Sequence, residues 1–419
     1  MERERTEGPD ATRAGPFSFP EREPVRAPLA ALFVAQFFSQ FGDSVFQLAF
    51  IWLVLELTGS KSATGLAAMI SYLPPLVFGV AAGLMVDRLN RKLVMVWADA
   101  ARAFLLAVCG ALYAAHVLSP ALLIAFAFGT ATSAVLFYPA RDSILPELVP
   151  RAALPRANAW VQLSQQAAFF FGPMAAGLLI RRFGVQAAFP TGAACFVGSL
   201  LALLFLGGAG SFHRSGEERI GLAQDFRSGL ATIARDRTLV LLLTLTALDN
   251  LFVMGPAIVG IAVLVRETLH RDASAYALVD AMYGVGMVAG SLVLSRVGSK
   301  VRSGRLLLIG ITLDGLTHIP VYFCRTLDTL VPVVLVHALM IPAIVVPRAT
   351  LVQGMVPSRL QGRVFALVNV VVLGTTAISS GLTGLALDRI TAPVLFAVTG
   401  ALAAATGLMG FAFPRLRRL

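Results

Sequence analysis

Four polar residues interrupt the first long apolar run: Gln36, Gln40, Asp43 and Gln47. Their spacing places all four on one face of a helix. An acid and three amides on an otherwise apolar helix suit the wall of a polar passage, or a hydrogen-bond ladder to a neighbouring helix. Ionisable groups in hydrocarbon are costly and concentrate on ion and proton pathways, which makes Asp43 the first candidate to carry a proton or a cation. Later runs hold a similar set. Asp249-Asn250 is the counterpart of Asp43, and Asp280 is a further acid for a central cavity. Asp99 and Arg102 lie three residues apart, either as an internal ion pair that only satisfies both charges or as part of a coupling device. Asp314 and His318, four apart, read as local satisfaction of both groups, and His337 is a lone histidine whose charge can change near neutral pH. Phe37, Phe38, Phe41, Trp52, Phe169, Phe170, Phe171, Tyr283 and Phe365 are available to line a cavity or to face lipid.

Several chemistries have no residues to support them. Cys109, Cys195 and Cys324 each sit inside an apolar run, with no metal-binding or redox spacing. No phosphate loop and no H-E-x-x-H pairing occurs. The expectation is a protein with no metal, no cofactor and no catalytic centre, driven by an ion gradient or by its substrate's own gradient.

The elements that position these residues follow from composition. The 419 residues are 57% hydrophobic and 14% charged, against about 25% charged in soluble domains. Apolar runs long enough to span hydrocarbon recur twelve times. They are Pro28–Leu57, Ser62–Val86, Leu93–His116, Pro120–Ala140, Ala157–Arg181, Val185–Gly208, Thr238–Arg266, Ser274–Val297, Leu306–Cys324, Leu330–Pro347, Val364–Leu387 and Ala392–Phe413. The expected class is an all-α membrane protein with two six-helix bundles, residues 28–209 and 238–413. Residues 1–27, rich in proline and charge, read as a disordered tail. Residues 210–237 read as a linker with a surface helix near Gly221–Ala234, and 414–419 as a basic tail.

Most of the 34 Arg and Lys residues fall in the tails and in every second loop, which places both termini and the linker in the cytoplasm of an inner (plasma) membrane protein. The net charge of +11 is thus assigned to anionic lipid. No basic cluster interleaved with aromatics suggests nucleic acid. The halves also match at one constant offset: Val149-Pro150 on Val356-Pro357, Arg141 on Arg348, Arg156 on Arg363, Gly177 on Gly384 and Asp43 on Asn250. Repeated halves are the usual construction of alternating-access transporters.

Three motifs carry a resemblance. Gly83-Leu-Met-Val-Asp87-Arg88-Leu-Asn90-Arg91-Lys92 resembles the G-x-x-x-D-R-x-G-R-K signature of the major facilitator superfamily, with Asn90 in place of glycine, and Ser291 to Lys300 is a worn copy. Gly172-Pro173-Met-Ala-Ala176-Gly177 is similar to the end of the motif associated with that superfamily's proton antiporters. Tyr138-Pro-Ala-Arg141-Asp142 through Pro150, with Ser39-Gln40-Phe-Gly42-Asp43, resembles its macrolide-efflux and enterobactin-exporter branch. The resemblance implies gating at the cytoplasmic face by Gly83, Asp87, Arg88, Arg91, Lys92 and Asp142, and a monomer. It also implies proton-coupled export of a small amphipathic compound such as a drug, antibiotic or siderophore-like metabolite. One departure is that Leu122 to Leu136, in the fourth run, holds no arginine. An importer or lipid-flipping member of the superfamily, and a transport-inactive sensor, are the competing readings.

Overall fold

The computed structural model describes residues 23–149, 153–206, 222–297 and 301–419. Twelve of its helices are long and apolar enough to cross a bilayer. They are α1 (Ala27–Thr58), α2 (Lys61–Gly79), α3 (Arg91–Ala114), α4 (Pro120–Leu148), α5 (Arg156–Phe183) and α6 (Val185–Leu204), then α7 (Arg237–Thr268), α8 (Ala273–Arg296), α9 (Ser303–Phe323), α10 (Leu327–Met355), α11 (Leu360–Leu387) and α12 (Ala392–Gly410). A bilayer leaves backbone groups no water to bond, so helices that satisfy themselves are the available solution.

Most helix ends fall within a few residues of the expected spans. The exceptions are α4 and α10, which run past Ala140 and Pro347 to Leu148 and Met355. Arg141 and Arg348 are therefore helical, where the sequence suggested loops. The helices continue because Pro139, Pro146 and Pro347 bend a helix without ending it when neighbours cover the freed carbonyls. The helix of α2 pauses at Tyr72, just before Pro74-Pro75, and resumes over Leu73–Arg88. The far end of α7 is wound wider than an α-helix over Pro256–Gly260 and Leu264–Thr268. A connecting helix, Leu222–Arg235, precedes α7, and the chain closes on a short helix, Pro414–Arg418, whose Leu416 is fully buried. The tail expected at 1–22, linker residues 210–221 and the motif copy at 298–300 lie outside the described residues.

Each half is built alike. In the first, α1 packs on α5 and α6, α3 on α6, and α2 on α4; in the second, α7 packs on α11 and α12, α9 on α12, and α8 on α10. The halves meet along two equivalent seams, α2 against α11 and α5 against α8. Gly384 of α11 and Gly177 of α5, matched by the sequence repeat, sit at those seams. A Cβ on Gly384 would come within 2.8 Å of the Gly65 Cα, and one on Gly177 within 2.9 Å of the Ala277 Cβ. Both contacts lie toward the side away from the termini, here the far side. Toward the terminal side, a Cβ on Gly79 or Gly362 would meet nothing within 4 Å, and one on Gly374 only Leu76. The close contacts between the halves at Gly65, Gly384 and Gly177 thus lie on the far side.

Candidate functional site: a charged triad and the cavity before it

α1, α3, α4 and α6 bring together charges that sequence leaves far apart. Arg102 of α3 is fully buried, with its guanidinium over the rings of Phe137 and Phe196 at 4.9 and 4.6 Å. It donates to Asp43 Oδ2 at 2.8 Å, to Ser39 Oγ at 2.8 Å, and to Asp99 one turn back on its own helix. Asp99 also accepts from Ser39 at 3.2 Å and from Ser199 of α6. The Tyr138 hydroxyl of α4 stands 3.0 Å from Asp43 Oδ2 and 2.9 Å from Gln40 Oε1. Asp99 and Arg102 are sealed, whereas the Asp43 side chain keeps 24% of its surface exposed. Two carboxylates share one guanidinium. The group thus has a surplus negative charge when both acids are ionised, and its only exposed acid is Asp43. Low surrounding polarity makes such a surplus costly, and a proton removes it.

The polar stripe of α1 divides. Gln40, Asp43 and Gln47 are partly exposed, but Gln36 is fully buried and neither side-chain polar atom has a partner. Gln36 is therefore no open cavity wall in this arrangement, because α1 is covered at that level by its own half. Across the molecule, Asp249 and Asn250 of α7 are nearly buried. The Asn250 amide turns back to the Thr246 carbonyl at 2.9 Å, and Asp249 lies within electrostatic reach of Asp314 and Arg348. Asp280 of α8 is partly exposed and within reach of Tyr72, Tyr276 and Tyr283, while Trp52 of α1 stacks on Tyr276 with centroids 6.0 Å apart. No described cation pairs with Asp280. An acid walled by tyrosines from both halves suits the polar end of an amphipathic ligand.

The motif between α2 and α3 does structural work within the first half. The Asn90 side chain caps α3 by accepting from the Leu93 amide at 3.1 Å. Arg91 pairs with Glu147 and donates to the Ser143 carbonyl at 3.1 Å, and Lys92 donates to the Leu204 carbonyl at 3.4 Å. Arg88 is exposed. Asp142 is mostly exposed and pairs with Arg141 at 2.7 Å. The surroundings of Gly83 and of the Asp87 side chain lie outside those described. In α5 the paired glycines serve different neighbours: Gly172 admits Ser44 of α1, where a Cβ would lie 2.6 Å away, while Gly177 admits α8. Pro173 stands between them inside the helix.

Sequence reasoning missed several of these partners. Tyr138 lay in a motif, but nothing marked its hydroxyl as a bridge. Glu147 lay in the same motif without its partner marked, and Ser199 and the ion pair of Lys61 in α2 with Glu267 in α7 carry no local signal, since their spacing to their partners is set by packing. Asp314 differs from expectation: α9 is buried at this level, and the base nearest Asp314 is His337 of α10, not His318.

A family model described as "Transmembrane secretion effector" matches residues 21–418. Among relatives, "Macrolide efflux protein A" of Streptococcus pyogenes is 24% identical over 83% of this chain and 86% of its own length. "Multidrug efflux pump Tap" of Mycobacterium tuberculosis (strain ATCC 25618 / H37Rv) is 36% identical over 49% of this chain and 52% of its own. Among solved structures, a bacterial homolog to human lysosomal transporter Spinster, inward-facing and unoccupied, superposes with a TM-score of 0.72 at 15% identity. That match covers 94% of this chain and 99% of the other. Nucleoside transporter NupG superposes at 0.73 with 11% identity, over 92% and 98%.

Proposed function

The chain belongs to the transmembrane secretion effector family of major facilitator transporters, and from that premise we propose that it is a proton-driven exporter of small amphipathic compounds. The observation that carries the reading is one guanidinium, Arg102, held between two carboxylates, of which Asp43 alone is partly exposed. When the cavity opens to the outside, Asp43 takes a proton and its hold on Arg102 weakens. When it opens to the inside, the proton leaves and the ion pair closes again. Tyr138 and Gln40 present hydroxyl and amide groups that keep Asp43 oriented through the exchange. Substrate occupies the space between the halves, with Asp280 and its tyrosines receiving the polar end and Gln47 contributing to the cavity; Asp249 and Asn250, expected there from sequence, are buried in this arrangement and do not form its wall.

The basic residues in alternate loops orient the chain with both termini in the cytoplasm of the inner membrane. With that orientation the close contacts between the halves at Gly177 and Gly384 lie on the outer side, which supports an inward-facing state, the one from which an exporter loads. Gly172 and Gly177 let α5 slide between α1 and α8 as the halves rock, and the Arg91–Glu147 pair keeps the cytoplasmic end of the first half rigid. The names of the relatives point to drugs, macrolides among them, as the substrate class. The test is efflux of erythromycin, a macrolide, from cells producing wild type or Asp43→Asn, with and without an uncoupler. Wild-type efflux is expected to collapse with the uncoupler, and the mutant is expected to lose concentrative efflux. Efflux that survives both changes removes the proton and Asp43 from the mechanism.

A further inference from the structure

The second half contains a buried group of ionisable side chains that the mechanism above does not use. Asp314, His318 and His337 are 2%, 1% and 1% exposed. The rings of His318 and His337 stack with centroids 4.0 Å apart and planes 16° from parallel. His337 Nδ1 lies 3.5 Å from Asp314 Oδ1 and 3.1 Å from Thr317 Oγ1. The Thr317 hydroxyl already donates to a backbone carbonyl of its own helix, so it accepts from His337. That places the proton of a neutral His337 on Nδ1 and leaves Nε2 as a bare acceptor. Four polar atoms here have no hydrogen-bond partner: Asp314 Oδ1, both ring nitrogens of His318, and His337 Nε2.

Such a set is expensive to bury and does nothing for packing that leucines would not do better. A metal is a poor occupant, because stacked rings point their lone pairs past each other. No residue cluster among those described could hold a metal ion. A proton fits. With Asp314 ionised and both imidazoles neutral, the group carries one negative charge in apolar surroundings. One added proton, on Asp314 or shared with His337, brings it to neutrality, and a second would leave a net positive charge buried on an imidazole with no carboxylate free to balance it.

We propose that Asp314, with His337 and His318 as positioning residues, is a second proton-binding site, distinct from the Asp43–Arg102–Asp99 triad. The site takes one proton from hydronium, releasing water, and returns it to water on the other side of the cycle. The site lies partway along α9. His318 stands about 10 Å from the far end of α9, where Ile319–Phe323 is wound as a tighter 3₁₀ helix at ~2.0 Å per residue, and Asp314 about 16 Å from its terminal end at ~1.5 Å per residue. Asp314 is within electrostatic reach of Asp249 on α7, and Tyr283 of α8 is within reach of both Asp314 and Asp280. Arg348, on α10, faces Asp249. α12, which packs along α9, offers Phe396 against His318 and carries no ionisable residue in its span. The ionisable groups within reach of Asp314 are thus Asp249 and Tyr283, which lie in turn within reach of Arg348 and Asp280. This inference rests on the proton-driven reading for its role in transport, though not for the binding itself.

The test is infrared difference spectroscopy of the full-length protein in lipid films as pH is stepped, following the stretch of protonated carboxyls. Wild type is expected to show a titrating carboxyl that persists in Asp43→Asn and vanishes in Asp314→Asn. His337→Gln is expected to retain the band with its midpoint moved by about half a pH unit or more, because the group facing Asp314 has changed. If Asp314→Asn fails to fold, the His337→Gln comparison decides. A band that survives in Asp314→Asn, or a midpoint unmoved in His337→Gln, overturns the proposal. The two readings fail separately. Uncoupler-insensitive erythromycin efflux sinks proton-driven export and leaves this titration standing, whereas uncoupler-sensitive efflux without an Asp314 band sinks only the second site.

Discussion

Arg102 ties α1, α3, α4 and α6 of the first half together. It faces Asp43, Asp99 and Ser39 at once, and two aromatic rings cover it. Removing one partner of a buried ionic group costs far more than the group contributes as a whole, because the remaining charges lose both partner and water. Arg102→Ala should therefore destabilise the protein by about 3–5 kcal/mol, read as a large fall in apparent melting temperature of the detergent-solubilised protein. Adding Asp43→Asn and Asp99→Asn should recover part of the loss, since the stranded charges are then gone. A single mutant as stable as wild type would show that water reaches the triad. Tyr138→Phe is the milder counterpart. It removes one hydroxyl shared by Gln40 and Asp43, worth about 1 kcal/mol, and should lower efflux more than stability. Equal losses of both would give the hydroxyl a structural role alone.

At the scale of elements, the seams decide which states are reachable. Gly177 and Gly384 occupy equivalent positions in α5 and α11, and each lets its helix touch the opposite half on the far side. Gly177→Leu should wedge the α5–α8 seam, at a cost of about 1–3 kcal/mol to the sealed state, and should populate the state open to the far side. A cysteine introduced by Thr64→Cys on the other seam reports this without touching the wedge, because Thr64 is fully buried in the sealed form. Its labelling by a membrane-impermeant maleimide should rise about tenfold or more, and unchanged labelling would mean that the two seams open independently. The sequence told much about these elements. Twelve spans, the repeat and the Gly177–Gly384 match were legible because bilayer thickness and close helix approach act on local composition. The ends of α4 and α10 were not, because proline looks like a terminator until a neighbouring helix covers the freed carbonyls. The site was half legible for the same reason. The spacing of Gln40 and Asp43 on one helix fixes their common face, but nothing in it says that Arg102, Tyr138 and Ser199 stand opposite, or that α9 packs deeply enough to bury Asp314 against His337. Those facts come from helices separated by long stretches of chain.

At the scale of the whole molecule, the sealed far side is held by more than close packing. Lys61 at the start of α2 pairs with Glu267 in the last turn of α7 at 2.7 Å, and the neighbouring Arg266 donates to the Leu55 carbonyl of α1. Both contacts join the two halves, and the wide final turn of α7 presents the two side chains there. The Lys61–Glu267 pair is partly solvated, with 25% and 40% of the side-chain surfaces exposed, so it contributes only about 0.2–1 kcal/mol. A small contribution is what a cycling transporter can use, since a tight latch would trap one state. Breaking it changes the balance of states by at most about fivefold, enough to alter turnover without unfolding anything. Glu267→Lys should raise maleimide labelling of the Thr64→Cys reporter by a few fold, and Lys61→Glu should do the same. Combining the two restores opposite charges with their places exchanged and should return labelling toward the wild-type level. Raising ionic strength to about 1 M, where the screening length is ~3 Å, should shrink the differences among all four proteins. Four proteins that label alike at low salt would show that packing at Gly65, Gly384 and Gly177 alone sets the balance, with the ion pair a passenger on the seam.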